Sequence, residues 1–345
     1  MLWVVLYHAK ESLIRAYGPA VDWLLPFIGF GWIGVSLFFG ISGILITSRL
    51  LEEKEVRGQV RLKEFYIRRS CRIFPPVILL LVALALCNWA KIIPISGFDW
   101  WRALLFGSNY GPEPSWHLAH TWSLSIEEHF YLIWPALLVY LGARRAPMAC
   151  LILVTIITVW RVIDIRYSIV PSHFGISGWR TDTTVDGLLV GAMFACLLER
   201  KAVLDFCRRF ATPVISLLLV AALAFCLYAW DHILILRHPV RLLFVFLIPL
   251  LFLTTILSPA TRMAAVLEWH PLRWIGRISY SIYLWQQLFV VPDHVRSSSF
   301  VGGLQDWPWN ILAVFVCAIV SYYFIERPFM KLGHRLAKPA SEGRA

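Results

Sequence analysis

The sequence predicts an all-α protein, a polytopic bundle of transmembrane helices. Of its 345 residues, 59% are apolar and only 15% are charged, and its mean hydropathy is +0.68. Soluble domains carry about 45–50% apolar and about 25% charged residues. A chain crosses the hydrocarbon core as a helix of about 20 mainly apolar residues, because its backbone groups must be hydrogen-bonded within the segment. Repeated stretches of that kind predict about ten spans.

The apolar stretches set the expected elements in chain order. Complete spans are predicted at 27–48, 74–94, 122–142, 147–166, 182–198, 210–230, 240–259, 278–292 and 308–326. An incomplete one precedes them at 1–17, where a helix rises only roughly 10 Å between Met1 and His8. We therefore expect this first helix to be truncated at its N-terminus, either because the start site is misassigned or because the helix is shortened in the protein itself. Segment 98–107, "FDWWRALLFG", is expected to form an interfacial or re-entrant helix, since tryptophan suits the headgroup level.

Lysines and arginines predict the topology. The net charge of +11 would suggest nucleic acid as the partner of a soluble protein, but in a membrane protein the distribution of Lys and Arg between loops is the better guide. Assigned alternately, the loops on one side hold 22 basic residues and those on the other hold 9. We expect a multi-pass protein of the inner (plasma) membrane with both termini cytoplasmic, in contact with membrane lipids and with no nucleic acid.

The chain is expected to form one domain. Residues 1–337 form the predicted transmembrane domain and 338–345 a short cytoplasmic tail. Seven cysteines lie in predicted spans or cytoplasmic loops without CxxC spacing, so neither disulfides nor a metal site is expected. "GFGWIG" at 29–34 has the letters of a dinucleotide fingerprint but no preceding strand, and its glycines are expected to let membrane helices approach closely.

"FYIRRSCRIFPP" at 65–76 carries Arg68, Arg69 and Arg72 just before the predicted start of a span at a Pro-Pro pair. One interpretation is the cytoplasmic anchor that any polytopic protein has. The alternative is a binding site, because positions three apart share a helix face and two guanidinium groups there would form a fork for phosphate or pyrophosphate.

"HLAHTWSLSIEEHFYLIWP" at 117–135 predicts a polar cluster at the outer end of a span. Carboxylates near hydrocarbon usually face the bundle interior and have a partner. The cluster is expected to contain Glu127, Glu128, Arg161, Asp164, Arg180, Asp182 and Asp186. A structural ion-pair network is one interpretation, and a hydrophilic site for an outside substrate is the other. His117 and His120 form only a weak metal pattern.

His8 stands in an apolar run, "MLWVVLYHAK". In lipid a polar side chain needs a partner or a wet cavity, and an ionisable one is a candidate for function. A signal peptide is not expected, because the basic n-region and the small-residue cleavage site are missing.

Taken together, these motifs resemble the acyltransferase 3 family of integral-membrane acyltransferases. The resemblance runs nearly from end to end. It rests on "VVLYHA" at 4–9, "GVSLFFGISGILIT" at 34–47, "FYIRRSCRIFPP" at 65–76, "TWSLSIEEHFYLIWP" at 121–135, "TVDGLLVGA" at 184–192, "IGRISYSIYLW" at 275–285 and "FIERPF" at 324–329. It implies an enzyme that transfers an acyl group, commonly acetyl, from cytoplasmic acyl-CoA to a hydroxyl of a surface or lipid-linked saccharide, with no further cofactor. It further implies that His8 is the catalytic histidine and that Arg69 and Arg72, with Arg68 beside them, handle the donor.

The expected chemistry follows from acyl transfer to a hydroxyl. Imidazole has an unperturbed pKa near neutrality, so His8 is hypothesised to be the general base, oriented by Glu127. The rival mechanism has His8 carry the acyl group as an N-acyl imidazole. Conceivable oxyanion donors are Ser42, Tyr131 and Trp122.

Three departures from the family pattern keep other functions open. Family members usually have Arg or Lys eleven positions before the histidine, a position that falls before Met1 here. Thr184 stands where many relatives have Arg, and Gln286 where they often have His. The alternatives are a polytopic transporter or flippase and a catalytically inactive relative of the acyltransferases.

Overall fold

Helices make up the fold. The computed structural model describes residues 1–233, 237–258, 262–297 and 300–337, and no β-strand occurs among them. The α-helices are α1 Leu2–His8, α2 Lys10–Tyr17, α3 Leu25–Gly29, α4 Ile33–Arg57, α5 Leu62–Trp89, α6 Gly97–Leu104, α7 Trp116–Ala119, α8 Thr121–Tyr167, α9 Thr181–Thr184, α10 Asp186–Leu198, α11 Lys201–Phe210, α12 Pro213–His232, α13 Arg237–Leu257, α14 Arg262–Leu267, α15 His270–Phe289, α16 Phe300–Gly303, α17 Trp309–Ser321 and α18 Arg327–Leu336. A π-helical turn, Tyr322–Glu326, joins the last two. The expected all-α class is confirmed. The predicted tail, 338–345, lies outside the described residues.

Six helical segments in the described residues are long and apolar enough to cross a membrane. They are Leu25–Arg57, Leu62–Trp89, Trp116–Tyr167, Pro213–Trp230, Val240–Leu257 and Trp309–Leu336. Large apolar side chains on them, such as Leu132, Leu217 and Phe225, are exposed. In a membrane such side chains would face lipid. The predicted spans 182–198 and 278–292 correspond to the shorter α10 and to the less apolar α15. The count of about ten spans therefore stays a prediction.

Helix α8 contains two of the predicted spans, 122–142 and 147–166. Its 47 residues would extend about 70 Å as one straight helix, more than twice the thickness of a hydrocarbon core. Gly142 breaks it, with φ 69° and ψ 161°, a conformation that L side chains rarely adopt. The predicted boundary between the two spans is thus a glycine kink.

Helix α5 contains most of the predicted span 74–94 and extends upstream of it. The Pro-Pro pair was expected to begin the span near residue 74, but the helix begins at Leu62 and continues through Pro75 and Pro76. The arginines of "FYIRRSCRIFPP" therefore lie within a continuous helix. Pro75 and Pro76 have no backbone N–H to donate, but the helix continues through them. Membrane helices tolerate proline because neighbouring helices and side chains satisfy the freed backbone groups.

The chain divides into two compact units. Unit 1 consists of Met1–Trp32, Arg61–Ser125 and the described residues from Ile275 onward. Within it α5 packs on α18, where Gly333 is required because an added Cβ would lie 2.7 Å from Cys71 Cβ. The Tyr280 hydroxyl donates to the Ile73 carbonyl at 3.1 Å and ties α15 to α5. Asn310 Nδ2 donates to Ser12 Oγ at 2.9 Å and ties α17 to α2.

Unit 2 consists of Ile33–Val60 and the described residues of Ile126–Trp274. Its most extensive packing is between α4 and α10, through glycines on both helices. A Cβ at Gly43 would lie 2.1 Å from the Leu188 carbonyl oxygen, and one at Gly191 would lie 2.3 Å from the Gly40 carbonyl oxygen. Close approach is therefore the role of these glycines, as small residues allow in membrane helices.

Candidate active site

His8 is the last residue of α1, and its side chain is partly exposed. Its ring lies edge-on to that of Trp116, with centroids 5.3 Å apart, and within electrostatic reach of His120. Gly31 allows α1 to pack here, because a Cβ at that position would lie 2.4 Å from the Trp3 carbonyl oxygen. Unit 1 therefore places the predicted catalytic histidine near a second histidine that sequence reasoning considered only as a weak metal ligand.

The tautomer of His120 follows from its partner. Its backbone N and its Nδ1 both lie 2.8 Å from Gln287 Oε1. A backbone N–H only donates, so that amide atom is the oxygen, and Nδ1 must carry a hydrogen to bond it. In the neutral ring Nε2 then holds the lone pair. The carbonyl of His120 also accepts from the Tyr283 hydroxyl at 2.7 Å, so α15 fixes this residue at two points.

His117 completes a group of three histidines in unit 1. It is 3% exposed, and its Nε2 has no hydrogen-bond partner among the described residues. Electrostatic interaction links it to His120. No three His, Cys, Asp or Glu side chains in the part of the chain that the structure describes are placed to hold a metal ion.

Glu127 is buried in α8 and is 4% exposed. The Tyr131 hydroxyl lies 3.2 Å from its Oε1, and Tyr131 also shares a short hydrogen bond with Ser42 on α4. Two of the predicted oxyanion donors are thus joined to the predicted catalytic carboxylate within unit 2. His8 belongs to unit 1, so orientation of His8 by Glu127 stays a prediction.

The arginine motif lies on the first half of α5. Arg68 and Arg69 are half-buried and Arg72 is exposed. Arg68 Nη1 lies 3.5 Å from Glu64 Oε2, one turn earlier on the same helix. Arg72 lies within electrostatic reach of Glu326.

Glu326 belongs to "FIERPF", a motif that sequence reasoning used only for the resemblance. Its side chain is fully buried, and its Oε2 accepts a hydrogen bond from Ser281 Oγ at 2.9 Å. A buried carboxylate needs compensating charge or hydrogen bonds. The interaction with Arg72 therefore connects two of the motifs that carry the resemblance, "FIERPF" and "FYIRRSCRIFPP".

The predicted polar cluster forms in unit 2 as two buried ion pairs. Arg161 Nη1 lies 2.6 Å from Asp186 Oδ2, and Arg180 Nη1 lies 3.0 Å from Asp164 Oδ2. Those four side chains are each 2% exposed. Asp182 joins the second pair, with its Oδ2 2.5 Å from Arg180 Nη2, but is 39% exposed. The partner that sequence reasoning considered for Arg161 was a carboxylate of "SIEEH", whereas its ion-pair partner is Asp186.

Asp182 and Arg180 stabilise each other's charged forms. Asp182 accepts hydrogen bonds from Arg180 Nη2 at 2.5 Å and from Trp160 Nε1 at 2.7 Å. The hydrogen bond to Asp182 raises the pKa of Arg180. At this end of the cluster, the guanidinium of Arg180 is thus paired with two carboxylates, those of Asp164 and Asp182.

Glu128 and Arg241 complete the surroundings of the cluster. Glu128 is half-buried on α8, and its neighbour His129 bonds Thr181 Oγ1 through Nδ1 at 2.7 Å. Arg241, at the start of α13, donates from Nη2 to Thr184 Oγ1 at 3.2 Å. Sequence reasoning counted Arg241 only among loop charges. No local pattern connects it with residue 184, so tertiary contact alone reveals its place.

Comparison with known proteins gives one family. The model of the family described as "Acyltransferase domain" matches residues 1–327. Peptidoglycan O-acetyltransferase OatA of Listeria monocytogenes serovar 1/2a (strain ATCC BAA-679 / EGD-e) is 30% identical over 367 positions, which cover 92% of this chain and 57% of that protein. The putative peptidoglycan O-acetyltransferase YrhL of Bacillus subtilis (strain 168) is 28% identical, over 96% of this chain and 57% of that protein.

A putative O-acetyltransferase of Staphylococcus aureus (strain COL) is 30% identical over 96% of this chain and 56% of its own length. The chain thus spans little more than half the length of these curated relatives. No solved structure matches it.

Proposed function

Because this chain belongs to the acyltransferase domain family, we propose that it is a membrane O-acyltransferase that moves an acetyl group to a hydroxyl of a cell-surface or lipid-linked saccharide. The relatives are named for O-acetyl transfer, two of them to peptidoglycan, and this favours a cell-wall saccharide as the acceptor. The observation that carries the proposal is the setting of His8, a partly exposed imidazole beside Trp116 and within reach of the buried His120. The protein would act in the plasma membrane with both termini cytoplasmic.

His8 is the general base in this proposal. The acceptor oxygen attacks the carbonyl carbon of a thioester while His8 takes the hydroxyl proton. The tetrahedral intermediate then collapses, the C–S bond breaks, and the departing thiolate takes the proton back from the imidazolium. The Trp116 ring is nearly perpendicular to the His8 ring, with centroids 5.3 Å apart, which limits the directions from which an acceptor reaches His8.

The hydroxyls of Ser42 and Tyr131 are the candidate donors to the oxyanion of the intermediate. Their short mutual hydrogen bond and the contact of Tyr131 with Glu127 hold them in a fixed chain in unit 2. In this chain Tyr131 donates its hydroxyl proton to Glu127 and Ser42 donates its own to Tyr131, so a donor to the oxyanion would have to turn away from its present acceptor.

The acyl donor in this proposal is acyl-CoA, and it is bound by Arg68, Arg69 and Arg72. Its phosphates suit guanidinium forks. Helix α5 presents Arg69 and Arg72 one turn apart, and it packs on α18 where Cys71 meets Gly333.

A cell-based experiment tests the proposed function. Surface polysaccharide would be analysed for ester-linked acetate in cells that carry the wild-type chain, His8→Ala, Arg69→Ala or, as matched control, His173→Ala. His173 is exposed and belongs to none of the motifs that carry the resemblance. We expect acetate with wild type and His173→Ala, and a loss of at least about a hundredfold with His8→Ala, in line with removal of a general base. Equal acetate in all four would contradict the proposal.

Labelling the protein separates direct transfer from an acyl-histidine. Purified chain would be mixed with radiolabelled acetyl-CoA in the absence of acceptor. Label retained on wild type and missing from His8→Ala would favour the N-acyl imidazole. Turnover with acceptor present, without any retained label, would favour direct transfer.

A further inference from the structure

Arg161 in unit 2 has a buried guanidinium, of whose three nitrogens only Nη1 has a hydrogen-bond partner among the described residues. Its side chain is 2% exposed. Nη1 donates to Asp186 Oδ2 at 2.6 Å and to the Thr183 carbonyl at 2.8 Å. Nε and Nη2 have no hydrogen-bond partner among the described residues. Unmade hydrogen bonds on a buried charged group are expensive, so they call for an explanation.

The unused atoms form one edge of the guanidinium. The N–H of Nε and one N–H of Nη2 point in parallel, and this edge is one of the forks by which arginine binds a carboxylate or phosphate through two bonds. Asp186 occupies the other side of the group, through Nη1. Arg161 is thus held in place by one acid and open to a second.

Arg241 adds a second cation at the same place. It lies within electrostatic reach of both Asp186 and Arg161, and its Nε is also buried without a partner among the described residues. Its Nη1 lies beside Gly178, where an added Cβ would be 3.7 Å away. Its only hydrogen bond that the structure identifies runs to a neutral hydroxyl, Thr184 Oγ1.

Charge is distributed unevenly across the polar cluster. At one end Arg180 faces two carboxylates, Asp164 and Asp182. At the other end two arginines share the single carboxylate of Asp186. At that end Nε and Nη2 of Arg161 and Nε of Arg241 are buried without a hydrogen-bond partner among the described residues, and a buried site tolerates this only with a compensating anion or water.

The geometry points to an oxyanion site formed by Arg161 and Arg241, which binds a carboxylate or phosphate group carried by the acceptor. This inference rests on the proposed function for the identity of the ligand as a saccharide acceptor. It identifies Arg241 as a binding residue and gives the chemical class of the group bound. Asp186 is a positioning residue, because it holds the Nη1 side of Arg161 and leaves the fork open.

Binding to the full chain in lipid nanodiscs, in the absence of any acyl donor, tests the site. One arm compares N-acetylmuramic acid with its methyl ester, which is the same sugar without the negative charge. The other arm compares a polyprenyl phosphate with the uncharged polyprenol. We expect the anion of at least one pair to bind at least about tenfold more tightly than its neutral partner, because charge-assisted hydrogen bonds are lost with the neutral form. The arm that shows the preference identifies carboxylate or phosphate.

Variants connect the preference with the two arginines. Arg241→Gln is expected to remove the preference, Arg241→Lys to retain part of it, and Arg166→Gln, an exposed arginine on α8, to leave it unchanged. Arg241→Lys keeps a cation and so remains informative if Arg241→Gln does not fold. Equal binding of anion and neutral form in both arms, or a preference untouched by Arg241→Gln, would overturn the inference. This experiment measures binding and no acetyl transfer. Its result therefore tests the oxyanion site even if the proposed acetyl transfer is not observed.

Discussion

Asp186→Asn should destabilise the protein strongly, because it removes the ion-pair partner of a buried arginine. Arg161 Nη1 and Asp186 Oδ2 are 2.6 Å apart, and both side chains are 2% exposed. Asparagine keeps the size and one carbonyl oxygen, so the substitution removes mainly the charge. Two unit charges about 4 Å apart interact by about 4 kcal/mol at an effective dielectric of about 20. Loss of one partner of a buried pair costs about 3–5 kcal/mol.

An exposed ion pair in unit 1 provides the matched control. Asp293 pairs with Arg15, and their side chains are 63% and 32% exposed. Solvent screens this pair, so Asp293→Asn should change the free energy of unfolding by about 0–1 kcal/mol. Each variant would be unfolded by denaturant titration in the same detergent. A double-mutant cycle with Arg161→Met should return at least about 2 kcal/mol of coupling, since each single variant leaves one buried charge without its partner and the double variant leaves neither. Equal losses for Asp186→Asn and Asp293→Asn would refute the reasoning.

Two further substitutions test helix packing in unit 2. Gly43→Ala places a Cβ 2.1 Å from the Leu188 carbonyl oxygen, so α4 and α10 must separate by roughly 1 Å to reach an ordinary contact. We expect the free energy of unfolding to fall by about 1–3 kcal/mol. The control, Gly276→Ala, has nothing within 4 Å of the added Cβ and should not lower it. Thr47→Val removes the acceptor of Trp134 Nε1, 2.8 Å away and buried, and should destabilise by about 1–3 kcal/mol in the same titration, while Thr155→Val on the exposed face of α8 should change little.

Apolar composition predicted the helical class because lipid leaves few alternatives to a helix. The predicted boundary between the spans 122–142 and 147–166 also coincides with the observed kink, since a glycine supplies the left-handed φ needed at residue 142. The helix that contains most of the predicted span 74–94 begins upstream of it, at Leu62. A Pro-Pro pair usually marks a helix start, but the packing of α18 on the first turns of α5 extends the helix back to Leu62.

Candidate residues for the site were found where charge stands out against an apolar background. His8, Arg161 and Asp186 were visible for that reason. Their partners were not, because Arg161 and Asp186 are joined only by the folding of α8 and α10 onto each other. Arg241 lies close to Arg237, and basic residues at the end of a predicted span are usual in any membrane protein. Gln287 is an uncharged residue of α15. Only tertiary contacts with Thr184 and His120 reveal their positions.

Acetyl-CoA consumption by the purified chain tests the central claim most directly. The chain, reconstituted in lipid nanodiscs, would be given acetyl-CoA with and without a peptidoglycan fragment, and release of the free thiol would be followed. We predict acceptor-dependent release with wild type and with His173→Ala, and a rate lower by at least about a hundredfold with His8→Ala, which should still fold and bind donor. Undiminished release by His8→Ala would contradict the assignment of His8 as the catalytic base.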